Sequence, residues 1–254
     1  MTDSEYRCFF DSDIGADGLV RRDISCDDAA LARKIAGVLR SLLGHSPSPV
    51  SEISTGLQGN LCEFCAWDLG EKHWGLYTRE LTWPANANSP WRNKSESGVD
   101  ILALDTNADR VFLIEVKSSR RGGSGAVAGE DKSLQADFRH LFEGSLDERI
   151  WDSVDEAVSD LIIHNRPDLA EKVKSAVGSK PEECTGVRLI GVLICRSGKT
   201  RRSRDARQGA FQRLHQWLLS QGWQADQCEY HCVELSDFAG WLSRVVNEVI
   251  DDNR

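Results

Sequence analysis

The chain predicts an α/β fold with a mixed central β-sheet flanked by helices, and three observations carry that expectation. Two short apolar runs, Gly98–Leu104 and Val111–Ile114, are separated by the polar stretch Asp105–Arg110, the pattern of two strands joined by a turn. A third run, Val187–Cys195, is apolar for nearly its whole length, which fits a central strand buried on both faces. Around these runs lie segments whose apolar residues recur at helical spacing.

In chain order, Tyr6–Phe10 reads as a short strand, and Asp11 to Gly18 as a polar connection. A helix capped by Asp27 or Asp28 runs to Leu43, with Leu31, Ile35, Val38, Leu39 and Leu42 on its apolar side. Gly44 ends it, and Pro47 and Pro49 mark a linker. Residues 1–50 are therefore expected to be an accessory segment, and 51–254 the main domain. Ser54 to Leu69 reads as a helix that carries Glu63. Trp74, Trp83 and Trp91, with Arg79 and Arg92 nearby, fit either core-edge packing or base stacking.

Beyond the hairpin, Ser118 to Gly129 is rich in glycine and predicts a mobile loop at the rim of a site, either one where Arg120 and Arg121 clamp a phosphate or a plain flexible connector. Asp131 to Phe142 predicts a helix packing through Leu134, Phe138 and Leu141 and bearing Gln135 and His140. A helical region broken at Pro167 suggests an insertion around 145–180. After the central strand comes a basic stretch, Arg196, Lys199, Arg201, Arg202, Arg204 and Arg207, opposed only by Asp205. It is either a solvated face or a strip that tracks a nucleic-acid backbone. A helix through Phe211, Leu214, Trp217 and Leu218, a strand at Tyr230–Leu235 and a helix at Phe238–Ile250 complete the order.

Composition bounds the function. The net charge of −9 over 254 residues argues against indiscriminate binding to nucleic acid, while leaving room for a local basic strip. No run of 18 apolar residues exists and Met1–Glu5 lacks the features of a signal peptide, so a cytoplasmic protein with no membrane partner is expected. The eight cysteines are unevenly spaced and read as reduced thiols. Cys62 and Cys65 lie inside an apolar helical pattern, which argues against a zinc site shared with Cys228 and Cys232. No phosphate-binding glycine motif is present, so an ATP-driven step would need another subunit.

The hairpin holds the chemistry. If Thr106–Asp109 form the loop, residue 105 faces 110 and Asp100 faces Glu115. Opposed like charges destabilise a sheet, so something must offset the repulsion. Glu115 and Lys117 share one face of their strand, and two carboxylates with one ammonium therefore converge. Converging acids suit a hard divalent cation, Mg²⁺ or Mn²⁺, and an adjacent lysine suits phosphodiester hydrolysis.

Gly98-Val99-Asp100-Ile101, followed about a dozen residues later by Ile114-Glu115-Val116-Lys117-Ser118, resembles the motif of the PD-(D/E)XK (restriction-endonuclease-like) phosphodiesterase superfamily. Val99 stands where the named pattern has proline. The resemblance implies a restriction-endonuclease-like core in which Asp100 and Glu115 bind Mg²⁺ or Mn²⁺, the Val116 carbonyl completes the shell and Lys117 assists the attacking water. It also implies an acid on the preceding helix, for which Glu63 is the candidate, and a polar residue on the following one, for which Gln135 is the candidate. The expected function is a metal-dependent DNA nuclease, an endonuclease, with the strip from Arg196 through Lys199, Arg201, Arg202 and Arg204 positioning DNA. Such a chain further resembles the nuclease subunits of bacterial anti-phage systems of the Hachiman kind, which implies a helicase or other ATPase partner. The alternatives are a non-catalytic nucleic-acid-binding or regulatory subunit that keeps the fold, and a restriction-type enzyme reading a defined site.

Overall fold

The computed structural model describes residues 4–11, 20–26, 55–70, 76–77, 99–105, 110–120, 123–142, 148–196, 201–235 and 237–251. In order the elements are β1 (Ser4–Asp11), β2 (Val20–Cys26), α1 (Thr55–Leu69), β3 (Leu76–Tyr77), β4 (Ile101–Asp105), β5 (Val111–Ser119), α2 (Ser124–Val127), α3 (Leu134–Phe142), α4 (Glu148–Ile163), α5 (Pro167–Ala176), β6 (Val187–Arg196), α6 (Arg201–Ser220), β7 (Cys228–Leu235) and α7 (Phe238–Asp251). The expected helix after Asp27, the tryptophan-rich stretch, Arg121 and Lys199 lie outside the described residues.

The hairpin forms in the anticipated register. Ile101 pairs with Ile114, Leu102 with Leu113, Ala103 with Phe112 and Leu104 with Val111, and the Asp105 N–H donates to the Arg110 carbonyl at 3.2 Å. Beside it, β5, β6 and β7 run parallel. Parallel neighbours need long crossovers, supplied here by the helices between β5 and β6 and by α6 between β6 and β7. The four strands β4 to β7 thus make a mixed core sheet flanked by helices. It extends to seven strands in the order β2-β1-β7-β6-β5-β4-β3. β1 pairs antiparallel with β7, so the first 26 residues contribute strands to the same sheet rather than to a separate layer.

Three features differ from the sequence expectation. From Gly123 onward the glycine-rich segment after β5 is packed, not loose: Val127 of α2 is fully buried and α2 lies against α6. Its glycines serve close approach, since a Cβ on Gly123, at φ 85°, would stand 2.8 Å from Leu193 Cδ2, and one on Gly129 would stand 2.7 Å from the Gly125 carbonyl oxygen. Second, α4 is more than an appended insertion. Ile150, Val154, Ala157 and Leu161 bury one face of it in the main core, and its Ser153 hydroxyl accepts the Val99 N–H at 3.3 Å.

Third, Arg207 does not continue the basic strip. It is 4% exposed and ion-paired with Glu234 of β7, itself 3% exposed. Position explains this: Ala210, Phe211 and Leu214 are buried, and Arg207 sits one turn before them on the same side of α6. Among the described residues no helix is long and apolar enough to cross a membrane.

Removing one partner of a buried pair strands the other charge. Arg207→Met is accordingly expected to destabilise the fold by about 3–5 kcal/mol in denaturant unfolding, and the double variant Arg207→Met/Glu234→Leu to recover most of that loss. Equal stability of Arg207→Met and the parent chain would contradict the pairing.

Candidate functional site

Asp100 directly precedes β4, and two backbone contacts fix its place. The Val99 N–H is held by Ser153, and the Asp100 Oδ2 accepts the Val116 N–H at 2.8 Å. Extending the ladder by one residue sets Asp100 against Glu115, which is 3% exposed. A third carboxylate comes from α3. Oxygen atoms of Asp100, Glu115 and Asp137 all lie within 4.8 Å of one another, and the Lys117 ammonium is ion-paired with Asp137.

Gly191 explains how α3 reaches the sheet. It is the β6 partner of Glu115, and the space a Cβ would take is bounded by Leu134 Cδ1 of α3 at 3.3 Å and Tyr230 Cδ1 at 3.2 Å. With only hydrogen at that position, Leu134 and Phe138 seat directly on the strand. The residue between them in the next helical row, Asp137, then falls beside Lys117.

The electrostatics are those of a crowded acid cluster. Burial, then the neighbouring Glu63 carboxylate, pushes the Asp100 carboxyl up to about 7 against the opposing pull of Lys117 and the Val116 N–H. Glu115 is held well above the usual carboxylate range by burial and by Asp100 and Asp137. Burial draws the Lys117 ammonium down, but Asp137, Asp100 and Glu115 together leave it above the ordinary lysine value, so it is a cation. The Glu115 Oε1 is buried with no hydrogen-bond partner, a costly state for a carboxylate oxygen unless a ligand completes it.

Asp100, Lys117 and Asp137 border a cavity of about 690 Å³, while the buried Glu115 does not line it. Asp100, Val116, Lys117 and Ser118 come from the hairpin, Gly59, Cys62 and Glu63 from one face of α1, and Asp131, Lys132, Ala136, Asp137 and His140 from α3 and the turn before it. Nothing lies within 4 Å of a Cβ built on Gly59, so this helical glycine leaves the cavity open. Glu63 therefore shares the cavity with Asp100 but stands outside the three-carboxylate group.

Other candidates are placed less centrally. Gln135 is half-buried and does not border the cavity. Arg120 is exposed, and its Nε donates to Gln58 Oε1 at 2.6 Å, while Gln58 Nε2 donates to the Ser118 hydroxyl at 2.7 Å. Arg196 and Arg202 are exposed, and Arg201 and Arg204 belong to the first turn of α6. Cys62, Cys65, Cys228 and Cys232 are buried free thiols, and among the described residues no metal-ligating group includes a cysteine.

Asp137 and Lys132 were missed from the sequence. A helical wheel carries the signal for Asp137: it flanks the Leu134–Phe138–Leu141 stripe on the side shared with His140, about 160° from Gln135. Which flank meets the site is decided only by docking of the helix.

The carboxylate cluster makes stability depend on pH. Carboxylates whose folded pKa is raised favour the fold while protonated, so their contribution is intact below pH about 4 and is lost as pH rises through about 7 for Asp100. In EDTA the melting temperature should fall between pH 5 and 8. Glu115→Gln, which removes one buried charge, should raise stability at pH 8 by on the order of 1–3 kcal/mol and flatten that decline. A Glu115→Gln protein no more stable than the parent chain at pH 8 would contradict the crowding.

The chain matches no protein-family model, no curated protein and no solved structure.

Proposed function

We propose that this protein is a metal-dependent DNA nuclease with a restriction-endonuclease-like core. The observation that carries the reading is the convergence of Asp100, Glu115 and Asp137 on one point beside a cationic Lys117. The donor set fits Mg²⁺ or Mn²⁺, because every donor is a hard carboxylate oxygen and the buried Glu115 Oε1 has no other partner. With all three carboxylates ionised, they and the Lys117 ammonium carry two negative charges, which one divalent cation would balance.

Asp100, Glu115 and Asp137 would hold the ion, with Glu63 and the Val116 carbonyl as further candidates at the cavity. The chemistry such an ion supplies is polarisation of a phosphoryl oxygen and acidification of bound water. Lys117, held as an ammonium, stabilises negative charge building on the phosphoryl oxygens. Asp137 keeps that ammonium in place, and the Val116 N–H keeps the Asp100 carboxylate turned toward Glu115. Arg120, Arg196 and Arg202 are exposed cations suited to holding a DNA backbone, with Arg201 and Arg204 following in the same strip. The net charge of −9 favours delivery of DNA by a partner, and a helicase or other ATPase in bacterial anti-phage defence is the context this reading extends to.

The purified protein should cut DNA in Mg²⁺ or Mn²⁺ and not in EDTA. Glu115→Ala, Lys117→Ala and Asp137→Ala should each fold and lose about 100-fold or more in rate. Binding of DNA without cleavage would support a non-catalytic subunit instead, and equal cutting by all the variants would overturn the assignment of the site.

A further inference from the structure

A polyanion cannot enter a cavity floored by carboxylates on the strength of one divalent ion alone. It needs further donors on the walls, beside the Lys117 ammonium that Asp137 holds in place. On the α3 side, two groups remain. Lys132 and His140 both border the cavity and are exposed, and neither side chain is engaged by another described residue.

Among the residues that line the cavity, the backbone singles out Lys132. Its φ is 52°, in the left-handed region that glycine adopts freely and a residue with a Cβ does not. The turn is not slack. Ser133, fully buried, donates its hydroxyl to the Gly129 carbonyl at 2.9 Å and accepts the Ala136 N–H at 3.1 Å, capping α3. Lysine thus occupies a position where glycine would relieve the backbone, at a fixed point on the cavity rim. Strain of this kind concentrates at ligand-binding positions.

His140 lies one helical turn after Asp137, and Lys132 stands before the start of the helix, so Asp137 falls between the two along the chain. Asp131 also borders the rim, so the local charge is balanced and recognition there is a directed contact, not a general attraction.

We infer that Lys132 and His140 form a phosphate-binding subsite that grips phosphodiesters flanking the scissile one, Lys132 through its ammonium and His140 through a ring N–H. This assignment rests on the nuclease reading and adds to it the part of the substrate that this wall takes: the backbone of a single strand running along α3.

The test uses the full chain with a fluorescently labelled single-stranded oligonucleotide, followed by anisotropy in Ca²⁺ to hold the complex, alongside thermal melting and Mn²⁺ calorimetry. Lys132→Gly should melt higher than the parent chain, bind Mn²⁺ equally well and bind the oligonucleotide about tenfold more weakly. Lys132→Arg should retain oligonucleotide binding, and His140→Ala should weaken it. If Lys132→Gly binds the oligonucleotide as the parent does, or loses Mn²⁺ and oligonucleotide affinity together, the subsite is overturned while the nuclease reading stands. If the parent chain takes up neither Mn²⁺ nor oligonucleotide, both fall.

Discussion

Mutual repulsion of carboxylates at the open end of a hairpin is the constraint on which the rest of this structure depends. Asp100 and Glu115 face one another because the β4–β5 register leaves them no choice, and Asp137 is driven into the same space by the packing of α3. A fold selected only for stability would place apolar residues there, since buried charges are expensive even when paired. Here the Lys117 ammonium offsets only part of the charge, and the surrounding architecture holds the rest together.

That architecture works through small, specific contacts. Ser153 of α4 fixes the backbone just before Asp100. The bare α-carbon of Gly191 lets Leu134 and Phe138 settle on β6 next to Glu115. Gln58 links α1 to Ser118 and Arg120 at the end of β5. Behind them the buried Arg207–Glu234 pair joins α6 to β7, so that the parallel strands form a stiff platform. Of these side chains, Ser118 borders the cavity and the others stand outside its lining.

Much of this was legible in the residues. The hairpin register follows from loop length and side-chain alternation, which are local, and the buried run Val187–Cys195 could hardly be anything but a central strand. The rest depends on tertiary docking. Gln135 and Asp137 are both polar residues beside an apolar stripe, and only the rotation of α3 on the sheet decides that Asp137 meets Lys117. Glycine content suggested a loose loop after β5, whereas Gly123 and Gly129 are there because the chain passes too close to its neighbours for a side chain. Arg207 looked like one more cation in a strip, and its buried partner Glu234 lies 27 positions further along the chain. The strand β2 carries three charged residues in seven and gave no apolar signal.

The most direct test of the central claim is anomalous scattering from a crystal soaked in Mn²⁺. The account predicts one strong peak at about 2.1–2.2 Å from carboxylate oxygens of Asp100, Glu115 and Asp137. A well-ordered crystal with those three side chains in place and no peak among them, at saturating Mn²⁺, would contradict it.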